Sequence, residues 1–323
     1  MTKEIRSLSA KDTAKRLLTY KSPIVIMHAR PDGDTAGSAS ALLKILRSLG
    51  TTAEYACSDK LSERLAFLLE GEKRAESLDG RELIAIDVAS PTQLGEFSAY
   101  KDNISLTIDH HMVNSPFSDN YTLPDASSAG EVLFTVLSEL IDMGKCELDE
   151  KIAYPMYASI SSDTGGFIYS SVTPETHRIA ARLIETGIDF SDINHRLFNS
   201  KSSSQIKAEG FIASRIRTEA DGRIAYATLS AKERAELDLI QSDFETAIDV
   251  VRSLRGAEIA FFVRENDEGA VKASIRSTGA DVASVAAGFG GGGHVRAAGC
   301  SIAANSAEEG AAMLLEKIKG IIE

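Results

Sequence analysis

His28-Ala-Arg-Pro-Asp32-Gly-Asp34 is the stretch around which the rest of the chain is organised, and it follows the apolar run 23–27. A loop over the end of a buried strand can bring these three ionisable side chains to one point. Two carboxylates that close repel each other, and a shared proton or a cation relieves the repulsion. Taken alone, the stretch fits a metal site and a polar turn that caps the next helix equally well.

Two more strand-like segments end in acidic or imidazole side chains. Asp87 follows the apolar run 82–86, and the Asp-His-His sequence at 109–111 follows the run 104–108. In an open parallel sheet, ligands bind outside the carboxyl ends of the strands, so we expect these residues to meet in one crevice. Together with Asp163, which ends a later helical segment, they predict a two-metal site.

Composition limits the classes of partner. The chain has 323 residues, a hydrophobic fraction of 43% and a formal net charge of −12. Binding of long nucleic acid along an extended surface requires that surface to be basic, so the negative net charge argues against this class of partner. A local pocket for a short nucleotide remains allowed.

The cysteines and the apolar runs bear on location. The three cysteines are scattered and lack CxxC spacing, so neither a disulfide framework nor a zinc ribbon is expected. No run approaches the roughly 18 apolar residues of a membrane span, and the first residues lack the apolar core of a signal peptide. We therefore expect a soluble cytoplasmic protein.

Periodicity predicts an α/β fold. The predicted strands are 23–27, 52–57, 82–87, 104–108, 223–229, 257–263, 270–276 and 299–302. The predicted helices are 11–20, 36–49, 61–70, 129–143, 149–161, 173–186, 189–198, 203–218, 243–254, 281–287 and 306–322. Strands alternating with helices imply a parallel sheet. We predict a parallel-sheet N-terminal domain over 1–200, a linker helix over 201–218 and a smaller α/β domain over 219–323.

These residues resemble a known superfamily. Four phosphoesterase motifs of the DHH superfamily are matched by His28-x3-Asp32-x-Asp34, Asp87, Asp109-His110-His111 and Asp163. The GGGH signature of its DHHA1 C-terminal domain is matched by Gly291-Gly292-Gly293-His294 with Ala297-Ala298-Gly299. The resemblance covers almost the whole chain, and the layout is most similar to the bacterial nano-RNA phosphodiesterases, also called bifunctional oligoribonucleases and pAp phosphatases. Arg30 replaces an Asn of many relatives and leaves the ligand pattern unchanged.

The resemblance implies two divalent ions, usually Mn²⁺. One ion would be held by His28, Asp32 and Asp87. The second would be held by Asp34, Asp87, His110 and Asp163, with Asp87 bridging the two. A mixed set of imidazoles and carboxylates suits Mn²⁺, and the lack of thiolates argues against structural zinc. Paired ions activate water and stabilise the attacking and leaving oxygens in displacement at phosphorus.

The remaining motif residues are expected to act on the substrate. Adjacent residues do not easily face the same ion, so we expect His111 to contact the phosphate or protonate the leaving oxygen, with a packing role as the alternative. Asp109 is expected to orient a ligating histidine. By resemblance the C-terminal domain holds the nucleotide, and the candidate residues are Arg276, Gly292, Gly293 and His294, whereas Arg296 could be a solvated rim charge.

The implied activity is hydrolysis of short oligoribonucleotides to nucleoside 5′-monophosphates, with removal of the 3′-phosphate of pAp. Four alternatives stay open: a phosphodiesterase for cyclic dinucleotides or linear pApA, a manganese-dependent inorganic pyrophosphatase, an exonuclease for long single strands, and a nucleotide sensor without turnover. The family also implies a homodimer through 129–160.

Overall fold

The computed structural model describes residues 5–112, 114–244, 246–266 and 269–322. The chain forms two compact units, residues 1–200 and residues 201–323. Within the described ranges, no helix has the length and apolar character needed to cross a membrane.

The first unit is built on a five-stranded parallel sheet in the order β2-β1-β3-β4-β5. Its strands are β1 (Pro23–Ile26), β2 (Glu54–Ala56), β3 (Glu82–Ile86), β4 (Ile104–Asp109) and β5 (Asp119–Thr122). Strands β1 and β3 are apolar on both faces and buried almost throughout, which is typical of a parallel sheet covered by helices on both sides. Strand β4 is also largely buried, but one of its faces carries Ser105, Thr107 and Asp109.

Helices cover this sheet. They are α1 (Ala10–Leu17), α2 (Gly33–Ser48), α3 (Ala129–Asp142), α4 (Glu150–Asp163), α5 (Pro174–Ile184) and α6 (Phe190–Asn194). Shorter 3₁₀ segments span Glu63–Leu69 and Pro91–Asn103, and a π-helical turn spans His195–Asn199. At Gly37, α2 touches α4 backbone to backbone, because an added Cβ there would lie 2.6 Å from the carbonyl oxygen of Pro155.

The second unit contains a six-stranded mixed sheet in the order β10-β11-β9-β8-β7-β6, in which only β7 and β8 are parallel among the described strands. The strands are β6 (Arg217–Glu219), β7 (Ile224–Leu229), β8 (Ile259–Glu265), β9 (Val271–Ser277), β10 (Gly292–His294) and β11 (Ala297–Ile302). The helices are α7 (Ser203–Ser214), α8 (Ala231–Glu236), α9 (Ala247–Arg252), α10 (Val282–Ala287) and α11 (Ala307–Ile322).

Both faces of the second sheet carry a core. Ile275 and Leu314 belong to the core that α10 and α11 form with one face, whereas Phe262 and Ile212 belong to the core under α7 and α9. The predicted α/β class, with a parallel N-terminal sheet and a second α/β domain, is confirmed.

The stretch 201–218, expected as a linker helix, contains α7 and the start of β6. Ala208 and Ile212 on α7 are buried in the core of the second unit. The helix ends before the predicted boundary because residues 217–219 pair antiparallel with β7 instead of continuing the helix.

Candidate metal centre

The predicted ligands of the first unit gather at the carboxyl edge of its sheet. Asp87 and His110 come directly after β3 and β4, and His28 comes two residues after β1 ends. Asp34 lies in the first turn of α2, and Asp163 is the last residue of α4. Parallel strands place their carboxyl ends at one edge, which is why residues so distant in sequence converge here.

One group consists of His28, Asp32 and Asp87, whose potential ligand atoms all lie within 4.8 Å of one another. Nε2 of His28 is 3.6 Å from Oδ2 of Asp87 and 3.9 Å from Oδ1 of Asp32. Nδ1 of His28 lies 2.7 Å from the carbonyl oxygen of Ala29, which can only accept, so Nδ1 carries the hydrogen. In the neutral imidazole the lone pair is then on Nε2, the atom that faces the carboxylates.

A second group consists of Asp34, His110 and Asp163. Nε2 of His110 lies 3.5 Å from Oδ2 of Asp34 and 3.6 Å from Oδ2 of Asp163. It also lies 3.6 Å from Oδ1 of Asp87, so each oxygen of Asp87 faces a different histidine. Nδ1 of His110 faces the carbonyl oxygen of Ala126 at 3.3 Å, which again leaves the Nε2 lone pair toward the acids.

Asp87 is held in an uncommon state. Its φ of 59° lies in the left-handed region, and its side chain is only 3% exposed. Oδ1 is buried and makes no hydrogen bond within the described part of the chain. A buried carboxylate oxygen without a donor costs free energy unless a cation compensates it, so this residue fits a divalent ion.

The carboxylates in this cluster repel one another, and they attract the imidazoles. Burial, together with the charges of Asp87, Asp163 and Asp32, raises the pKa of Asp34 well above its usual range. Burial, only partly offset by His110 and reinforced by Asp32 and Asp87, raises the pKa of Asp163 to about 7. Burial lowers the pKa of His28, but Asp87 and Asp32 outweigh it and bring that pKa to about 9. The side chains therefore need protons or cations to coexist.

Two buried hydroxyl groups that sequence reasoning missed support the acids. The Thr35 hydroxyl lies 2.5 Å from Oδ2 of Asp87 and 3.1 Å from Oδ1 of Asp32, and its single hydrogen can serve either carboxylate. Ser159 on α4 donates to Oδ1 of Asp34. Thr35 could have been suspected because it adjoins Asp34, but no local pattern marks Ser159.

His111 and Asp109 form a hydrogen-bonded pair. Nδ1 of His111 donates to Oδ1 of Asp109 at 2.7 Å. Asp109 was expected to orient a ligating histidine, and its partner is His111, which was expected to face the substrate. His111 also forms a third group of potential ligands with Asp87 and His110, so the role of Asp109 stays a prediction. Nδ1 of His111 is also 3.7 Å from Oδ1 of Asp87. Burial lowers the pKa of His111, but Asp109 and Asp87 outweigh it and raise that pKa to about 9.

The predicted substrate residues lie together on the sheet of the second unit. Arg276 pairs with Ala297, and Ala297 pairs with His294, so the three residues form one row across β9, β11 and β10. Directly opposed residues share a sheet face, and two strand spacings place Arg276 and His294 about 10 Å apart. The next row on the same face contains Ser274, Gly299 and Gly292. Two glycines without side chains therefore lie beside the two basic side chains.

The glycine run serves two purposes. A Cβ at Gly291 would lie 2.2 Å from the carbonyl oxygen of Gly299, and one at Gly293 would lie 2.4 Å from that of Ala297. These two glycines are required by the pairing of β10 with β11. A Cβ at Gly292 would meet nothing within 4 Å, so this glycine borders open space.

Comparison with known proteins identifies both units. The model of the DHH family, N-terminal domain, matches residues 23–160, and that of the DHHA1 domain matches residues 221–323. The chain is 30% identical over 312 residues to the bifunctional oligoribonuclease and PAP phosphatase NrnA of Thermus thermophilus, covering 95% of this chain and 92% of that protein. It is 28% identical over 287 residues to the protein of the same name from Bacillus subtilis, covering 88% and 90%.

Solved structures share the fold. An exopolyphosphatase-related protein from Bacteroides fragilis superposes with a TM-score of 0.88 at 24% identity, over 99% of both chains. RecJ from Thermus thermophilus in complex with Mn²⁺ superposes with a TM-score of 0.55 at 13% identity, over 99% of this chain and 56% of RecJ. The resemblance drawn from the sequence motifs is confirmed. The chain belongs to the DHH family of phosphoesterases, hydrolases that act on phosphoester bonds and depend on divalent metal ions.

Proposed function

We propose that the protein hydrolyses short oligoribonucleotides to nucleoside 5′-monophosphates and also removes the 3′-phosphate of pAp. One observation carries the proposal: Asp87 lies between two groups of potential ligands, with one oxygen facing His28 and the other facing His110, in a chain that aligns over 95% of its length with a bifunctional oligoribonuclease and PAP phosphatase.

Two Mn²⁺ ions are part of the proposal. His28, Asp32 and Asp87 would hold one ion, and Asp34, Asp87, His110 and Asp163 would hold the other. The donor set fits, because it combines two imidazoles with carboxylates and includes Oδ1 of Asp87, which accepts no hydrogen bond from the described residues. When bound, such a pair supplies a water of lowered pKa and stabilises the charge of the attacking and leaving oxygens.

His111 would act on the phosphate itself. Its hydrogen bond to Asp109 fixes the ring orientation and stabilises the imidazolium. A protonated imidazole beside the phosphate can bind a non-bridging oxygen or give a proton to the leaving oxygen. Asp109, at 1% exposure, would hold His111 in place without contacting the substrate.

The second unit would hold the nucleotide. Arg276 and His294 can contact phosphate oxygens, and the sheet surface at Gly292, where no side chain projects, leaves room for a base or ribose. A cavity of about 390 Å³ beside Arg276 is also lined by Arg252, Ser277 and Thr278, and by the carboxylates of Asp249 and Glu258. Asp249 pairs with Arg252 at 3.0 Å, so Arg276 and the two hydroxyls are the groups that suit a phosphate. Such a local pocket suits short substrates in a chain of net charge −12.

Assembly and location stay predictions. Residues 129–160, expected at a dimer interface, form α3 and most of α4, and most of the apolar side chains there are buried within the first unit. Light scattering on the purified protein would measure the mass. A cytoplasmic location is consistent with three cysteines that are free and buried.

The test is a substrate panel of pAp, pApA, a cyclic dinucleotide, RNA oligomers of two to about ten nucleotides and inorganic pyrophosphate, each with Mn²⁺ and with EDTA. We expect turnover of the short RNAs and pAp that requires metal and is lost in Asp87→Ala. Dominant turnover of pyrophosphate or of the cyclic dinucleotide would overturn the substrate assignment. Full activity of Asp87→Ala would overturn the metal centre.

A further inference from the structure

Asp34 is the most enclosed acid of the metal centre, and its carboxylate is held from two other helices. The amides of Ala129 and Gly130, at the N-terminus of α3, donate to Oδ2 at 2.8 Å and to Oδ1 at 3.3 Å. The hydroxyl of Ser159 on α4 donates to Oδ1. Asp34 is 1% exposed and Ser159 is fully buried.

The two oxygens of Asp34 have different surroundings. Oδ1 accepts from both Ser159 and Gly130, whereas Oδ2 accepts from Ala129 and faces Nε2 of His110 at 3.5 Å. An oxygen that already accepts two hydrogen bonds has little remaining capacity for an ion. Oδ2 is therefore the atom of Asp34 that can serve as a ligand, and Oδ1 is the atom that anchors the side chain.

The packing leaves Ser159 little freedom. A Cβ on Gly130 would lie 2.1 Å from the Ser159 hydroxyl oxygen, and a Cβ on Gly37 would lie 2.7 Å from its backbone nitrogen. Two glycines on two different helices thus make room for α4 to approach Asp34. Any larger residue at either glycine would push the hydroxyl away from the carboxylate.

The other ligand group has a different support. The Thr35 hydroxyl contacts Asp32 and Asp87, the shared residue, and does not serve Asp34. Each group thus has its own buried hydroxyl, and that of Ser159 contacts a residue that belongs to one group alone.

We propose that Ser159 is a positioning residue that sets the affinity of the ion held by Asp34, His110 and Asp163, and leaves the other ion unaffected. The inference rests on the proposed two-ion function. A hydrogen-bond partner that orients a metal ligand typically contributes 10–100-fold to metal affinity, so the effect is measurable without an activity assay.

Ser161 provides a matched control. It lies on the same helix, is equally buried, and donates its hydroxyl at 2.6 Å to Oδ1 of Asn194, away from the acids. Ser159→Ala and Ser161→Ala each remove one buried hydroxyl and add no volume. Asp163→Asn serves as the reference for damage to the same ligand group.

The experiment is titration of the full chain with Mn²⁺, followed by calorimetry and by electron paramagnetic resonance. We expect two ions in the native chain and in Ser161→Ala. In Ser159→Ala we expect one ion of native affinity and one weakened by about 10–100-fold, with a spectrum that loses the coupling between neighbouring ions, as in Asp163→Asn. If Ser159→Ala does not fold, Ser159→Cys, a weaker donor of similar size, should give the same one-site loss.

Three outcomes would overturn the inference: two ions of native affinity in Ser159→Ala, an equal loss at both sites, or the same loss in Ser161→Ala. A native chain that binds no ion would instead refute the proposed function, so the two failures are distinguishable.

Discussion

Nδ1 of His111 donates a hydrogen bond of 2.7 Å to Oδ1 of Asp109, a carboxylate that is almost completely buried. We expect Asp109→Asn to lower kcat about 10–100-fold, because an amide supports the imidazolium less well than a carboxylate does. Steady-state kinetics on a short RNA would measure this decrease in kcat. Mn²⁺ stoichiometry should not change, since Asp109 belongs to none of the three groups of potential ligands.

A matched control for that substitution is Asp119→Asn. Asp119 is also buried, but it pairs with Arg6 at 2.6 Å and Arg16 at 2.9 Å and contacts none of the predicted ligands. The Asp119→Asn substitution should lower the free energy of unfolding and leave kcat unchanged. An Asp109→Asn protein with native kcat would refute a role for the pair in turnover.

Metal affinity should depend on pH. The pKa of His28 is raised to about 9 and that of Asp163 to about 7, so at neutral pH His28 is mostly protonated and Asp163 about half protonated, and an ion must displace these protons. Lower pH favours the protonated forms, so the Kd for Mn²⁺ should fall as pH rises from 6 to 9. Calorimetry in buffers of different ionisation enthalpy would count the released protons. An affinity that is constant over this range would contradict the prediction.

Ions should also stabilise the first unit. A ligand at about 100 times its Kd adds about 2.7 kcal/mol to the free energy of unfolding. For a unit of this size, that corresponds to a rise in Tm of about 5–10 °C, measurable by calorimetry with Mn²⁺ and with EDTA. Asp87→Ala should show a smaller rise, because it removes a ligand from both groups. Equal rises in the two proteins would count against Asp87 as a ligand.

Neighbouring glycines of the second unit should respond differently to substitution by alanine. Gly292→Ala should fold normally and raise KM, because its Cβ projects into open space on the proposed nucleotide floor. Gly291→Ala should lower the Tm, since its Cβ would collide with β11. Thermal unfolding and steady-state kinetics on both proteins separate the effects. A native KM in Gly292→Ala would exclude that glycine from the substrate site.

The positions of the predicted ligands followed from local sequence. Asp87 and His110 come directly after apolar runs, and in a parallel sheet the ends of such runs share an edge. That inference needs only the period of the apolar residues and the strand direction. Spacing alone left a metal ligand and a helix cap open at Asp32, and the family motifs favoured the ligand. The structure shows that Asp32 does cap α2, since its Oδ1 accepts from the amide of Thr35 at 3.0 Å, and that it also lies in a group of potential ligands.

Other features depended on distant partners. Strand β5 was not predicted, because Asp119-Asn-Tyr-Thr122 is polar and its buried acid is neutralised by Arg6 and Arg16, more than 100 residues earlier. Segment 61–70 was expected as an α-helix and contains a 3₁₀ helix over Glu63–Leu69, since the same leucine spacing suits either form. No strand was predicted over the glycine run, and Gly292–His294 forms one because β11 supplies its hydrogen bonds.

The left-handed backbone at Asp87 implies a compromise between the stability of the fold and the proposed metal chemistry. An L-residue there carries about 1–3 kcal/mol of backbone strain that glycine would not. Burial raises the pKa of Asp87, but His28, His110 and His111 outweigh it and hold that pKa below its usual range, so attraction to the imidazoles offsets part of the strain. Asp87→Gly would remove both the strain and this attraction, and it would leave the imidazoles without the acid that the proposed ions share.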